Sequence, residues 1–216
     1  MESSRTNYTP KSEEAVNRLI VAYTEAELTY VHAAAYAAEH EKMYLKNFAR
    51  YFETRAHEMN TLRNCLMRYQ TRRGGNIEMH HEHYYQHQQL KYPKKAEEMN
   101  EMMKQLTATE KYLEELWRHF YEVATAEKDH VSAQYAGRYL SKHQYPKFAK
   151  MVRLTNALQQ ADCVHHFDAT VMKAEMEDDD EDEDEDEDED KDKDEEEEER
   201  ESKKKFEWKK WGRRHY

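Results

Sequence analysis

The chain has 216 residues, 37% of them charged, and a mean hydropathy of −1.28, so it can bury one substantial core only if part of it stays outside. Charge locates that part: residues 175–201 hold 23 Asp and Glu against Lys191, Lys193 and Arg200, net −20, residues 202–216 carry +6, and the other 174 residues sum to +2. No run of roughly eighteen apolar residues exists to span a bilayer, the opening MESSRTNYTP has no signal-peptide or transit pattern, and two dispersed cysteines, Cys65 and Cys163, exclude a disulfide framework or zinc knuckle, so a soluble cytoplasmic protein with reduced thiols is expected.

Neither glycine nor proline occurs between Pro10 and Gly74, which predicts long helices. The first would open with Ser12 as N-cap and set Val16, Leu19, Ile20, Tyr23, Tyr30 and Val31 on one face, with Ala26 and Ala34 at its tighter contacts. After a turn over His40–Tyr44, a second helix carries Leu45, Phe48, Phe52, Ala56, Met59, Leu62, Leu66 and Tyr69 at three- and four-residue steps and stops at Gly74 and Gly75. Residues 77–93 are polar, His-rich and Tyr-rich, and read as a long connection joining two helix pairs.

A third helix follows Pro93, with Met99, Met102, Met103, Leu106, Leu113, Trp117, Phe120 and Ala124 forming a stripe interrupted by one carboxylate, Glu110. The fourth, from about Val131 to Gln160, carries Tyr135, Tyr139, Leu140, Met151, Leu154 and Leu158, puts His143 on the same face, and should kink at Pro146. A short fifth helix over 165–172 precedes the charged tail. The expected fold is all-α: a four-helix bundle domain over 1–174, then a disordered acidic and basic/aromatic tail over 175–216.

Motifs in matching order carry a resemblance: NY at Asn7–Tyr8, AVNRLI at Ala15–Ile20, LKNFARYF at Leu45–Phe52, QTRRGGNI at Gln70–Ile77, EK at Glu110–Lys111 and YL at Tyr139–Leu140. The chain resembles the animal ferritins over roughly residues 7–172. That resemblance implies a ferritin-like four-helix bundle with a long connection between its second and third helices, and a subunit that assembles with copies of itself or with other ferritin subunits into an iron-storing shell. It also implies a set of iron ligands, of which little is kept: the first-helix glutamate falls on Tyr23, the second-helix Glu-x-x-His on Met59 and Leu62, the third-helix glutamate on Glu110, the nearby tyrosine on Tyr30, and the fourth-helix glutamine on His143. Carboxylates of the threefold iron-entry channel fall on Ala133 and Ala136, and those of the inner mineral-nucleating surface on Glu58 but also on Thr54, Thr61 and Asn64. A bundle kept without its iron-oxidising chemistry is the expectation, so no enzyme activity is assigned and iron enters as a cofactor by resemblance alone.

A di-iron centre needs several carboxylates and two histidines, and neither methionine sulfur nor a leucine side chain replaces them for hard iron cations. The expected role of Glu110 is structural: a buried carboxylate bonded to Tyr30 or Tyr23 and paired with His143, while a single metal position built from Glu110 and His143 is the other reading. The run MHHEHYYQH, with His80, His81, His83 and His87, could bind a borderline cation but has no closed zinc spacing. The acidic tract Glu177–Asp190 should stay extended and could hold basic protein partners, which is the alternative function. The closing KKKFEWKKWGRRHY is expected to neutralise that tract rather than bind nucleic acid or a membrane.

Overall fold

A computed structural model describes residues 5–39, 41, 43–79 and 95–177. These residues fall into two compact units, 1–172 and 173–216. In the second, residues 173–177 are helical, with Lys173 Nζ 3.5 Å from Glu177 Oε1. The first unit is an all-α bundle, and no strand occurs among the described residues.

Helix α1 spans Pro10–Ala37. Its N-cap is Thr9, whose hydroxyl accepts from the Ser12 amide, and Pro10 takes the first helical position, where a missing N–H costs nothing. The cap is therefore three residues earlier than expected, and Ser12 is buried inside the first turn. Tyr23, Ala26, Tyr30, Ala33, Ala34 and Ala37 continue the inward stripe, whereas Val31 lies outside it at 46% exposure. The straight helix favours the 30/33/34/37 row over the 31 row.

Helix α2, Lys46–Arg72, begins at Leu45, a residue with no capping side chain. The cap comes from far along the chain: Asp168 Oδ1 accepts from the amides of Asn47 (3.1 Å) and Phe48 (2.8 Å). This satisfies two orphan donors and places a negative charge at the positive end of the helix dipole. Two residues past the last helical position, Gly74 turns the chain at a φ of 75° with Arg5 against its Cα; a Cβ there would meet Arg5 Cβ at 3.0 Å.

After a 3-10 turn over Ala96–Glu98, helix α3 spans Met99–Ala126. Its turn into helix α4 (His130–Tyr139) uses Lys128 at positive φ and Asp129 as N-cap, accepting from Ser132 N at 3.2 Å. A π-helical turn, Leu140–Gln144, leads into helix α5, Tyr145–Gln159, so the fourth arm of the bundle is one helical run with a widened turn. The cause is Pro146, which has no amide to give its preceding turn; the Tyr145 amide reaches back five residues to the Leu140 carbonyl instead. Helix α6 (Val164–Phe167) and a second π turn (Asp168–Met172) close the unit and occupy the expected fifth-helix segment.

Side-chain pairs give the directions. Tyr30 meets Glu110 and Tyr23 meets Trp117, so α1 and α3 are antiparallel; Glu58 meets Lys147 and Tyr69 meets Tyr135, so α2 and α4–α5 are antiparallel. Arg55 meets Glu110 and Arg73 meets Asp129, so α2 and α3 run parallel. Parallel neighbours of this length need a connection running back along the whole bundle, roughly 40 Å at 1.5 Å per helical residue. Of the residues expected to make it, 77–93, those from 80 onward, with the histidine-rich run from His80 to His87, lie outside the described residues. The core is fully buried Leu19, Ile20, Phe48, Phe52, Met99, Leu113, Trp117, Phe120, Met151 and Leu158 with their neighbours.

Candidate functional site

Glu110 sits on the inward face of α3, between Leu106 and Leu113, with no exposed surface at all. An ionised carboxylate so placed must be paired and hydrogen-bonded. Three elements supply the partners. From α1, Tyr30 Oη donates to Oε1 at 2.6 Å; from α2, Arg55 Nη2 donates to the same oxygen at 2.6 Å; from the π turn, Gln144 Nε2 donates to Oε2 at 3.0 Å. Burial alone would raise the Glu110 pKa, but the Arg55 charge and the bonds from Tyr30, Arg55 and Gln144 outweigh it and hold the carboxyl below its usual range.

The network continues in both directions. The Gln144 carboxamide oxygen accepts from Tyr23 Oη at 2.8 Å, and Tyr23 Oη in turn accepts from the Trp117 indole N–H at 2.8 Å. On the other side Arg55 also pairs with Glu58, which holds Lys147 Nζ at 2.8 Å. The four charged groups, Lys147, Glu58, Arg55 and Glu110, alternate in sign and sum to zero. Tyr23 and Tyr30 stay protonated, since burial raises both phenols well above 10.0 and for Tyr30 the Glu110 charge adds to it.

The two residues of the expected metal position differ in their surroundings. Glu110 is enclosed, whereas His143 is exposed and packs its ring 5.1 Å from that of Tyr139. The widened turn before Pro146 carries the next residue, Gln144, into the seam. The fourth-helix correspondence therefore shifts by one: Gln144, rather than His143, faces the third-helix carboxylate. Of the expected tyrosine partners, Tyr30 bonds Glu110 directly, and Tyr23 reaches it through Gln144.

Arg55 is the residue the sequence pattern missed. It stands seven residues after Phe48, three after Phe52 and four before Met59, which are all inward positions, so the spacing did place a cation in the seam. Gln144 likewise follows Ala136 by eight and precedes Met151 by seven. Met59 is buried and Leu62 half-buried on the α2 face.

Glu110 and Glu58 are the carboxylates of this network, and the Arg55 guanidinium supplies positive charge to both. Among the described residues no group of three or more His, Cys, Asp or Glu is placed to hold a metal.

A bundle of four long helices, with parallel second and third helices and a polar cluster between their facing side chains, defines the ferritin-like architecture. Residues 13–156 match the Ferritin family, described as the ferritin-like domain. That span contains Tyr23, Tyr30, Arg55, Glu110 and Gln144, and the chain belongs to the ferritin-like family.

Proposed function

We propose that this protein is a shell-forming ferritin-like subunit of cytoplasmic iron storage and homeostasis that lacks ferroxidase activity and assembles with copies of itself or with catalytic ferritin subunits. The carrying observation is the buried Arg55–Glu110 pair at 2.6 Å, in the seam where the family resemblance places iron ligands. A cation fixed there repels incoming ferrous iron and consumes the acceptor capacity of the remaining carboxylate. Iron is then cargo handled by the assembly rather than a resident group of this chain.

Two further features support the reading. The positions on which the family resemblance places the threefold-channel carboxylates, Ala133 and Ala136, carry no charge to draw cations inward. Helix α1 also leaves Leu28 and Val31 exposed at 55% and 46%, an apolar surface suited to subunit contacts. No described helix is long and apolar enough to cross a membrane.

The test pairs light scattering with stopped-flow ferrous oxidation. A mass of many chains with no saturable oxidation by the pure protein supports the reading. A monomer that also fails to enter shells of a catalytic ferritin subunit overturns the shell role, and rapid oxidation at about two irons per chain, the stoichiometry of a bundle di-iron centre, overturns the loss of chemistry.

A further inference from the structure

The end of the bundle where α2, α3 and α4 meet gathers Tyr69, Tyr135 and Tyr139 around one indole, Trp117, with Phe120 beside them. Trp117 is fully buried; its ring lies 4.2 Å from Tyr139 and 5.8 Å from Tyr135. Tyr135 stacks on Tyr69 at 4.4 Å with an interplanar angle of 8°, and Tyr69 is half-buried at the bundle surface. Rings in contact would fill the core equally well as phenylalanines. The hydroxyls are therefore where a function beyond packing would show.

Tyr69 has a wired hydroxyl. Its Oη lies 2.7 Å from Ser132 Oγ, and Ser132 Oγ lies 2.5 Å from Asp129 Oδ2. An ionised carboxylate only accepts, so Ser132 donates to Asp129 and must accept from Tyr69: phenol to serine to carboxylate is the single direction the chain allows. Arg73 closes the arrangement, with Nη1 3.2 Å from Tyr69 Oη and Nη2 3.0 Å from Asp129 Oδ1. A phenol gives up an electron readily only when its proton leaves with it, and this phenol has an internal base one hydroxyl away.

We propose that Trp117, Tyr135 and Tyr69 form a relay that carries an oxidising equivalent from the buried core to the bundle surface, with Tyr69 as its terminus and Asp129 as the proton acceptor. The initiating oxidant is an oxygen-derived radical of the hydroxyl class, which takes one electron from Trp117 and is itself reduced. The Trp117 cation radical then recovers an electron from Tyr69 through the stacked Tyr135 ring. In the same step the Tyr69 proton passes to Ser132 Oγ and the Ser132 proton to Asp129 Oδ2. The products are neutral Trp117, a Tyr69 phenoxyl radical steadied by the Arg73 N–H, and protonated Asp129. A small thiolate or the ascorbate anion at the surface gives one electron to Tyr69, becoming the thiyl or ascorbyl radical, while the proton comes back from Asp129 through Ser132. The relay does not depend on any iron chemistry of the chain.

The test uses the full chain with Trp208→Phe and Trp211→Phe, which leaves Trp117 as the only indole. A laser flash photoionises Trp117, and a cobalt(III) ammine takes the ejected electron and is reduced to cobalt(II). The expected result is a tryptophanyl absorption that decays as a tyrosyl absorption grows, slowed in deuterated solvent, with a frozen-sample tyrosyl resonance. Tyr69→Phe, which keeps the ring and the packing, should lose that resonance, and Ser132→Ala should abolish the solvent-isotope slowing. A radical that stays on Trp117, that moves instead to Cys65, or that is unchanged in Tyr69→Phe overturns the proposal.

Discussion

Arg55 Nη2 stands 2.6 Å from Glu110 Oε1 in a seam where Glu110 has no exposure and Arg55 almost none. Taking either charge out of water is expensive, and the attraction recovers that cost only while both are present. Arg55→Met should therefore destabilise the bundle by about 3–5 kcal/mol, since it leaves Glu110 an uncompensated buried charge, whereas Glu110→Gln should cost less because Arg55 keeps Glu58. The double substitution Arg55→Met with Glu110→Leu should cost less than Arg55→Met alone. Urea unfolding of the three variants reads this directly, and additive single effects would show that the pair is not a coupled unit.

Acid should attack the same pair. The Glu110 carboxyl is held below its ordinary 4.5 in the fold, so its contribution is fully present above that value and is lost as pH falls through the lower folded value. Urea midpoints should drop below pH 4.5, and the limb should be shallower in the double substitution. An identical acid limb in both proteins would place the loss elsewhere.

Alkali acts through the phenols. Tyr23 and Tyr30 are raised well above 10.0, and Tyr135 is pushed up to about 12, each chiefly by burial. A raised folded pKa gives stability that is complete below the unfolded value and is lost as pH rises toward the folded one. Stability should thus decline from pH 10 upward, and spectrophotometric titration should show a class of tyrosines that ionises only with unfolding. Smooth titration of all sixteen tyrosines near pH 10 in a folded protein would contradict the burial of these rings.

Much of the fold is legible in the residues. Sixty-three residues without a glycine or proline give α1 and α2, Gly74 gives the stop at positive φ, and the methionine and aromatic stripe of α3 is buried as its spacing requires. The polar seam was only half legible. Glu110 announced itself as the odd carboxylate in an apolar row, but its partner had to come from a residue type that usually lies on a surface, and Arg55 sits one position before the expected Ala56. The fourth-helix register failed for a different reason. A π turn changes the phase of every inward position that follows it, and a simple repeat of 3.6 cannot tell His143 from Gln144 across Pro146. The Asp168 cap on α2 joins residues 121 apart and has no local pattern at all.

Asp168 also carries a prediction. It is the acceptor for two amides at the start of α2, and its own backbone carbonyl accepts from Asn47 Nδ2 at 2.8 Å. Asp168→Ala should cost about 1–2 kcal/mol, as loss of an N-cap does elsewhere. Because the cap also ties the 164–172 segment to α2, hydrogen exchange should quicken both at the Asn47 and Phe48 amides and along 164–172. Exchange that changes in only one of the two places would show that the segment is held by Phe167 stacking on Phe48 rather than by the cap.

The last prediction concerns what Arg55 does to iron chemistry. Tyr23→Glu, Met59→Glu and Leu62→His together return oxygen and imidazole donors to the seam, where they join Glu110 and Gln144. Donors alone should not suffice. While Arg55 stays, its guanidinium pairs with Glu110 and keeps a positive charge where two cations would have to sit, so the triple variant should still fail to oxidise ferrous iron in a saturable way. Adding Arg55→Gln removes that charge, retains a hydrogen-bond donor for Glu110, and leaves the new carboxylates in need of cations. The quadruple variant should bind ferrous iron, gain stability on binding, and oxidise it at a measurable rate in stopped-flow absorbance. Saturable oxidation by the triple variant would mean that the lost ligands alone account for inactivity and that Arg55 is only a structural partner of Glu110.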